Sequence, residues 1–159
     1  MKLGKNILFA LILTLFAVSC EAKEILDPGS AKAIKNILEA NQAVNNSLLA
    51  DDKNLPNLAN LAKVIASSKA EAKNIEVKTS LDTLEKSIKN IGATPKKDDF
   101  FKEFSAFSEE LAVIAKKFKV DSAYNRFFCP MVSKTWVAKG TQIKNPYAAD
   151  MRDCGEIVK

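Results

Sequence analysis

The sequence predicts an all-α protein: an up-and-down four-helix bundle over residues 30–120, with an irregular C-terminal extension over 121–159 packed on it as one domain. Three observations predict it. Four stretches repeat apolar residues at three- and four-residue spacing, the period of one buried helical face. The breaks between them are a few residues long, which favours antiparallel neighbours. Past Val120 the period fails, and Pro130, Gly140, Pro146 and Gly155 divide the chain into short pieces.

Ahead of the bundle, Lys2 and Lys5 lead into an apolar run from Ile7 to Val18 that ends on Ser19-Cys20. A basic start, an apolar core and a small-residue cleavage site make a signal peptide over residues 1–19. The run is shorter than the roughly 20 residues needed to cross a bilayer. Ala17-Val18-Ser19-Cys20 resembles the lipobox of bacterial lipoproteins, with Ala17 where leucine is usual. The expectation is a precursor cleaved before Cys20, whose thiol carries the lipid, with residues 20–29 as a tether.

The first helix is expected over 30–50, with Ser30 as its N-cap and Ile34, Ile37, Leu38, Val44, Leu48 and Leu49 on its buried face. Asp51-Asp52-Lys53-Asn54 ends it. Pro56 suits the first turn of a second helix carrying Leu58, Leu61, Ala62 and Ile65, whose stripe weakens at Lys69 and resumes at Ala72. A third starts near Ser80, aligns Leu81, Leu84, Ile88 and Ile91, and is the shortest, with Gly92 as a left-handed stop. The fourth is the most regular, through Phe100, Phe104, Phe107, Leu111, Ile114 and Phe118. Asp98 and Asp99 sit at its positive end, and Lys116, Lys117 and Lys119 at its negative end. At this spacing the phenylalanine stripe is core rather than a ligand groove.

Composition excludes several functions. The chain has no histidine, which removes His-based zinc sites, Ser-His triads and an imidazole base. Five glycines form no phosphate-cradling loop. Residues 1–19 carry two lysines and no acid, so the whole-chain net charge of +5 falls to about +3 after cleavage. Acids are interspersed with the lysines and no stacking-aromatic set accompanies them, which argues against nucleic acid as a partner. Carboxylate pairs such as Glu109-Glu110 and Asp51-Asp52 are adjacent in sequence, hence splayed on a helix or in a loop. No enzyme is expected. Apolar residues make up 47% of the chain, enough for one domain with a core.

The extension concentrates sulfur. Cys129, Met131, Met151 and Cys154 form Cys-x-Met and Met-x-x-Cys about Trp136. One reading is a Cys129–Cys154 disulfide, with the methionines and Trp136 as packing. The other is a soft-metal site for Cu(I) or Ag(I), in which thiolates and thioethers converge and Trp136 adds a cation–π contact. A bonded sulfur is no thiolate, so one molecule holds one arrangement at a time.

At these residues the chain resembles an uncharacterised bacterial helical-bundle domain that accompanies, or is fused to, periplasmic adaptor subunits of copper and silver efflux pumps. The resemblance spans about residues 30–158. Its specific part is Cys129-Pro130-Met131, Trp136, Ile143, Asn145-Pro146-Tyr147 and Met151-x-x-Cys154-Gly155. Lys134-Thr135, Val137-Ala138 and Ala148-Ala149 depart from the family pattern. Val132 stands where a related adaptor module has a histidine, so that ligand is not carried over. The resemblance implies a link to copper handling.

The first functional expectation is therefore a lipid-anchored, non-enzymatic envelope protein that binds Cu(I) or Ag(I) and assists efflux beside a pump adaptor or another envelope protein. The alternative is a structural or protein-interaction lipoprotein with a Cys129–Cys154 disulfide and no metal. Exposure of Tyr124, Trp136 and Tyr147 separates a binding surface from a scaffold.

Overall fold

The computed structural model describes residues 26–50, 54–93 and 96–158. The expected signal peptide, the expected lipid-bearing Cys20, most of the expected tether and Asp51-Asp52-Lys53 lie outside the described residues. Four helices, α1 (Pro28–Ala50), α2 (Ala59–Glu71), α3 (Ile75–Gly92) and α4 (Lys97–Phe118), precede three strands, β1 (Tyr124–Cys129), β2 (Lys134–Lys139) and β3 (Glu156–Val158). The fold is helix-dominated rather than all-α. Among the described residues no helix is long and apolar enough to cross a membrane.

The expected stripes are the core. Ile34, Ile37, Leu38, Leu61, Ile65, Leu81, Leu84, Phe104, Phe107 and Leu111 are each at most 1% exposed. Successive helices pack in chain order, α1 on α2, α2 on α3 and α3 on α4. Along α4, Phe100, Phe104 and Phe107 stack in series with centroids 5.8 Å apart at each step.

Helix ends differ from expectation, each for a local reason. Asp27, not Ser30, caps α1: its Oδ1 accepts from Ser30 N–H at 2.9 Å, and Pro28 occupies the first turn. Ser30 is buried, and its Oγ accepts from the N–H groups of Lys73 and Asn74, tying α1 to the α2–α3 junction. α2 begins after Pro56, with Asn57 Oδ1 accepting from Ala59 N–H. It has 13 residues and is the shortest helix. Ser68 takes the buried position beside Lys69, whose ammonium bridges Asp82 and Glu85 of α3. α3 starts five residues before Ser80, because Asn74 Oδ1 accepts from both Glu76 and Val77 N–H. Gly92 is simply the last residue of α3, and Ala93 after it is right-handed. The left-handed stop falls instead on Lys119, after α4, at φ 50°.

The expected irregular extension contains an antiparallel sheet of order β2-β1-β3, and the stretch between β2 and β3 is irregular. Phe127 lies opposite Trp136, and Arg126 opposite Val137. One face carries Phe127, Cys129 and Trp136, the other Arg126, Thr135 and Val137. Both faces carry buried residues, so the polar-out alternation that reveals a half-exposed strand is absent.

β2 packs on both α1 and α4, which themselves touch little. Its outer edge is satisfied by side chains instead of another strand. Asn41 and Asn45 Nδ2 both donate to Val137 O at 2.8 and 2.7 Å. Lys139 N–H donates to Gln42 Oε1, Thr135 N–H to Ser105 Oγ, and Tyr147 OH to Thr135 O, each at 2.8 Å. An open edge, which invites aggregation, is thereby closed.

Candidate functional site

Cys129, Cys154, Tyr147 and Gly155 gather around the sheet face that carries Trp136. Cys129 ends β1 and Cys154 lies two residues before β3, and the two are joined in a disulfide with Cα atoms 5.6 Å apart. Cys129 is fully buried. Trp136, 1% exposed, stacks on Phe127 at 5.4 Å, with the Tyr147 ring edge-on at 6.3 Å. Tyr147 also meets Phe101 of α4 edge-on, and burial pushes its phenol pKa upward.

The Asn-Pro-Tyr segment is a latch. Asn145 is fully buried, and its Oδ1 accepts from Tyr147 N–H at 2.9 Å. Its backbone N–H donates to Arg152 O at 2.8 Å. Arg152 answers with Nη1 donating to Asn145 O at 2.8 Å, while Nη2 reaches Leu48 O at 3.4 Å. Leu48 lies in the last turn of α1, which has no basic residue of its own. The guanidinium from the tail therefore serves the negative end of that helix.

The proposed soft-metal ligands do not fit a metal in this state. Both thiol sulfurs are consumed by their bond, and Met131, at the hairpin tip, is 74% exposed. One face of Trp136 is taken by Phe127, and the ring's edge lies against the backbone at Gly155, so its π-face is not offered to a cation. Met151 is linked to Cys154 through the backbone, its carbonyl accepting from Cys154 N–H at 3.1 Å. Among the described residues no group of three or more His, Cys, Asp or Glu side chains gathers to hold a metal.

Several polar residues matter that apolar periodicity does not reveal. Glu109 Oε1 accepts from Arg126 Nη2 at 2.6 Å and from Thr135 Oγ1 at 2.8 Å, joining α4 to β1 and β2. Glu110 is exposed, so the adjacent carboxylates do splay. Asn41 and Asn45 interrupt the apolar stripe of α1 four residues apart. Polar side chains at core positions are that signal, since burial demands partners.

Beside this seam a cleft of about 600 Å³ runs between the second half of α4 and β1. Ala112, Val113, Tyr124 and Val158 supply apolar lining, and Lys116 and Lys119 the basic side. Tyr124 is half-buried there, whereas Trp136 and Tyr147 belong to the interior. Val113 is 60% exposed.

No protein-family model, no curated protein and no solved structure matches this chain.

Proposed function

We propose that this chain is a lipid-anchored, non-enzymatic protein of the bacterial envelope whose disulfide-locked C-terminal sheet is a rigid scaffold for contact with another envelope protein. The observation that carries the reading is the joint use of the chemistry-bearing residues as structure. Cys129 and Cys154 are bonded to each other, Trp136 and Tyr147 are interior, and Glu109 is engaged by Arg126 and Thr135. A lasting disulfide suits the oxidising side of the envelope, where a lipoprotein signal delivers its cargo. The cleft beside Val113 and Tyr124 offers a partner an apolar surface on the scale of a binding pocket. A photo-crosslinking residue at position 113, introduced in cells, yields one discrete adduct under this reading. A crosslinking pattern no different from that of a probe at the exposed Lys63 position contradicts it.

A second reading is a copper link acting only after reduction. It is favoured by the pairing of Cys129 and Cys154, since reducing the disulfide leaves two soft thiol sulfurs side by side. The reduced chain then binds about one Cu(I), and the oxidised chain none. Competition against a Cu(I) chelator measures both, and absence of binding by the reduced chain removes this reading.

A further inference from the structure

We infer that the end of the bundle where α1 begins is a docking face for an anionic phospholipid surface. The inference rests on the proposed lipid at Cys20. Five residues lie between Cys20 and Leu26, so the two are at most about 20 Å apart in any conformation. Leu26 is packed against the core, so an acyl chain on Cys20 holds this end of the fold close to the bilayer.

The described contacts establish which residues share that end. Ser30 Oγ accepts from Lys73 and Asn74 N–H, bringing the α2–α3 junction to the start of α1. Lys117 pairs with Glu76, bringing the last turn of α4 to the first turn of α3. Ile75, at the first position of α3, is 77% exposed.

Charge at this end is unevenly matched. Glu76 is paired with Lys117, and Glu71 with Lys32. Asp27 is turned onto the N–H groups of Ser30 and Asn74, and Asp121 onto Ala123 N–H. Lys73, Lys78, Lys116 and Lys119 are exposed and have no carboxylate partner among the described residues. Four uncommitted ammonium groups around an exposed isoleucine match a surface of phosphate headgroups over an apolar layer. Their attraction acts within a Debye length of about 8 Å, a separation the tether permits.

The test uses the full chain, matured in cells and reconstituted into vesicles of phosphatidylcholine alone or with added phosphatidylglycerol. Lysines are labelled with an amine-reactive reagent and read by mass spectrometry, with exposed Lys63, Lys86 and Lys144 as internal controls. Labelling of Lys73, Lys78, Lys116 and Lys119 is expected to fall about fivefold in the anionic vesicles, to recover in high salt, and to leave the controls unchanged. Equal labelling of both sets in anionic vesicles overturns the inference, as does protection that is the same in neutral vesicles. The same digest reads the acyl mass on Cys20. An acylated chain without protection removes this inference alone, whereas an unacylated chain removes the anchor and the inference with it.

Discussion

Gly155 lies against the indole of Trp136 so closely that a Cβ at position 155 would stand 2.6 Å from Trp136 Cη2. The backbone there has φ +153°, a conformation that side-chain-bearing residues rarely adopt. The glycine after Cys154 is thus required twice, by the ring and by the backbone. It lets the chain pass the indole and enter β3 immediately after the disulfide.

Gly155→Ala is expected to destabilise the protein by about 2–4 kcal/mol, from backbone strain plus overpacking. Urea unfolding measures the loss. The emission of Trp136, the lone tryptophan, should shift to longer wavelength in the variant as the indole is displaced.

Arg152 connects the tail to the end of α1 through Asn145 O and Leu48 O. Arg152→Ala should cost about 1–2 kcal/mol. Arg152→Lys should restore only part, because one ammonium replaces a planar fork that serves two carbonyls. Denaturation midpoints of the three proteins give the order.

Ser30 Oγ accepts from Lys73 N–H and shares Asn74 N–H with Asp27 Oδ2. Ser30→Ala removes the part-buried bond from Lys73 N–H and should cost about 0.5–1.5 kcal/mol. Amide exchange at Lys73 should accelerate while the amides inside α4 keep their protection relative to global unfolding.

Hydrogen bonds from Lys69 and Lys89 hold the Glu85 carboxyl down to about 2 from the usual 4.5. Asp27 is also lowered, chiefly by its hydrogen bond with Ser30. A carboxylate depressed in the folded state stabilises above its unfolded value, and that contribution is lost as pH falls toward the folded one. Urea midpoints should therefore decline between about pH 5 and pH 2, and Glu85→Gln should flatten the decline. Added salt weakens the effect, since these groups are at the surface.

The helical half was legible because a single physical rule governs it: Phe100, Phe104, Phe107, Leu111 and Ile114 repeat at helix period and are all buried. The α3 start at Asn74 and the α1 cap at Asp27 were misplaced because capping competes with apolar pattern, and Ser30 looks like a cap from sequence while serving another helix. The sheet escaped detection for a different reason. Lys134–Lys139 buries Thr135 and Val137 on one face and Trp136 on the other, and Tyr124–Cys129 has aromatic rings on both faces, so aromatic and β-branched content is the strand signal there rather than alternation. Asn41 and Asn45 acquire meaning only once Val137 O stands opposite them, a contact spanning more than 90 residues of chain. In the sulfur set, composition marked the residues but not their state. Thiol, disulfide and metal ligand share the same letters.

The proposed scaffold depends on Cys129 and Cys154 staying joined. Rapid acid quenching of cells, alkylation of free thiols and non-reducing peptide mapping of the protein test it most directly. One linked peptide pair containing Cys129 and Cys154 is expected, with neither residue alkylated. Quantitative alkylation of both cysteines in protein taken from the envelope would contradict it.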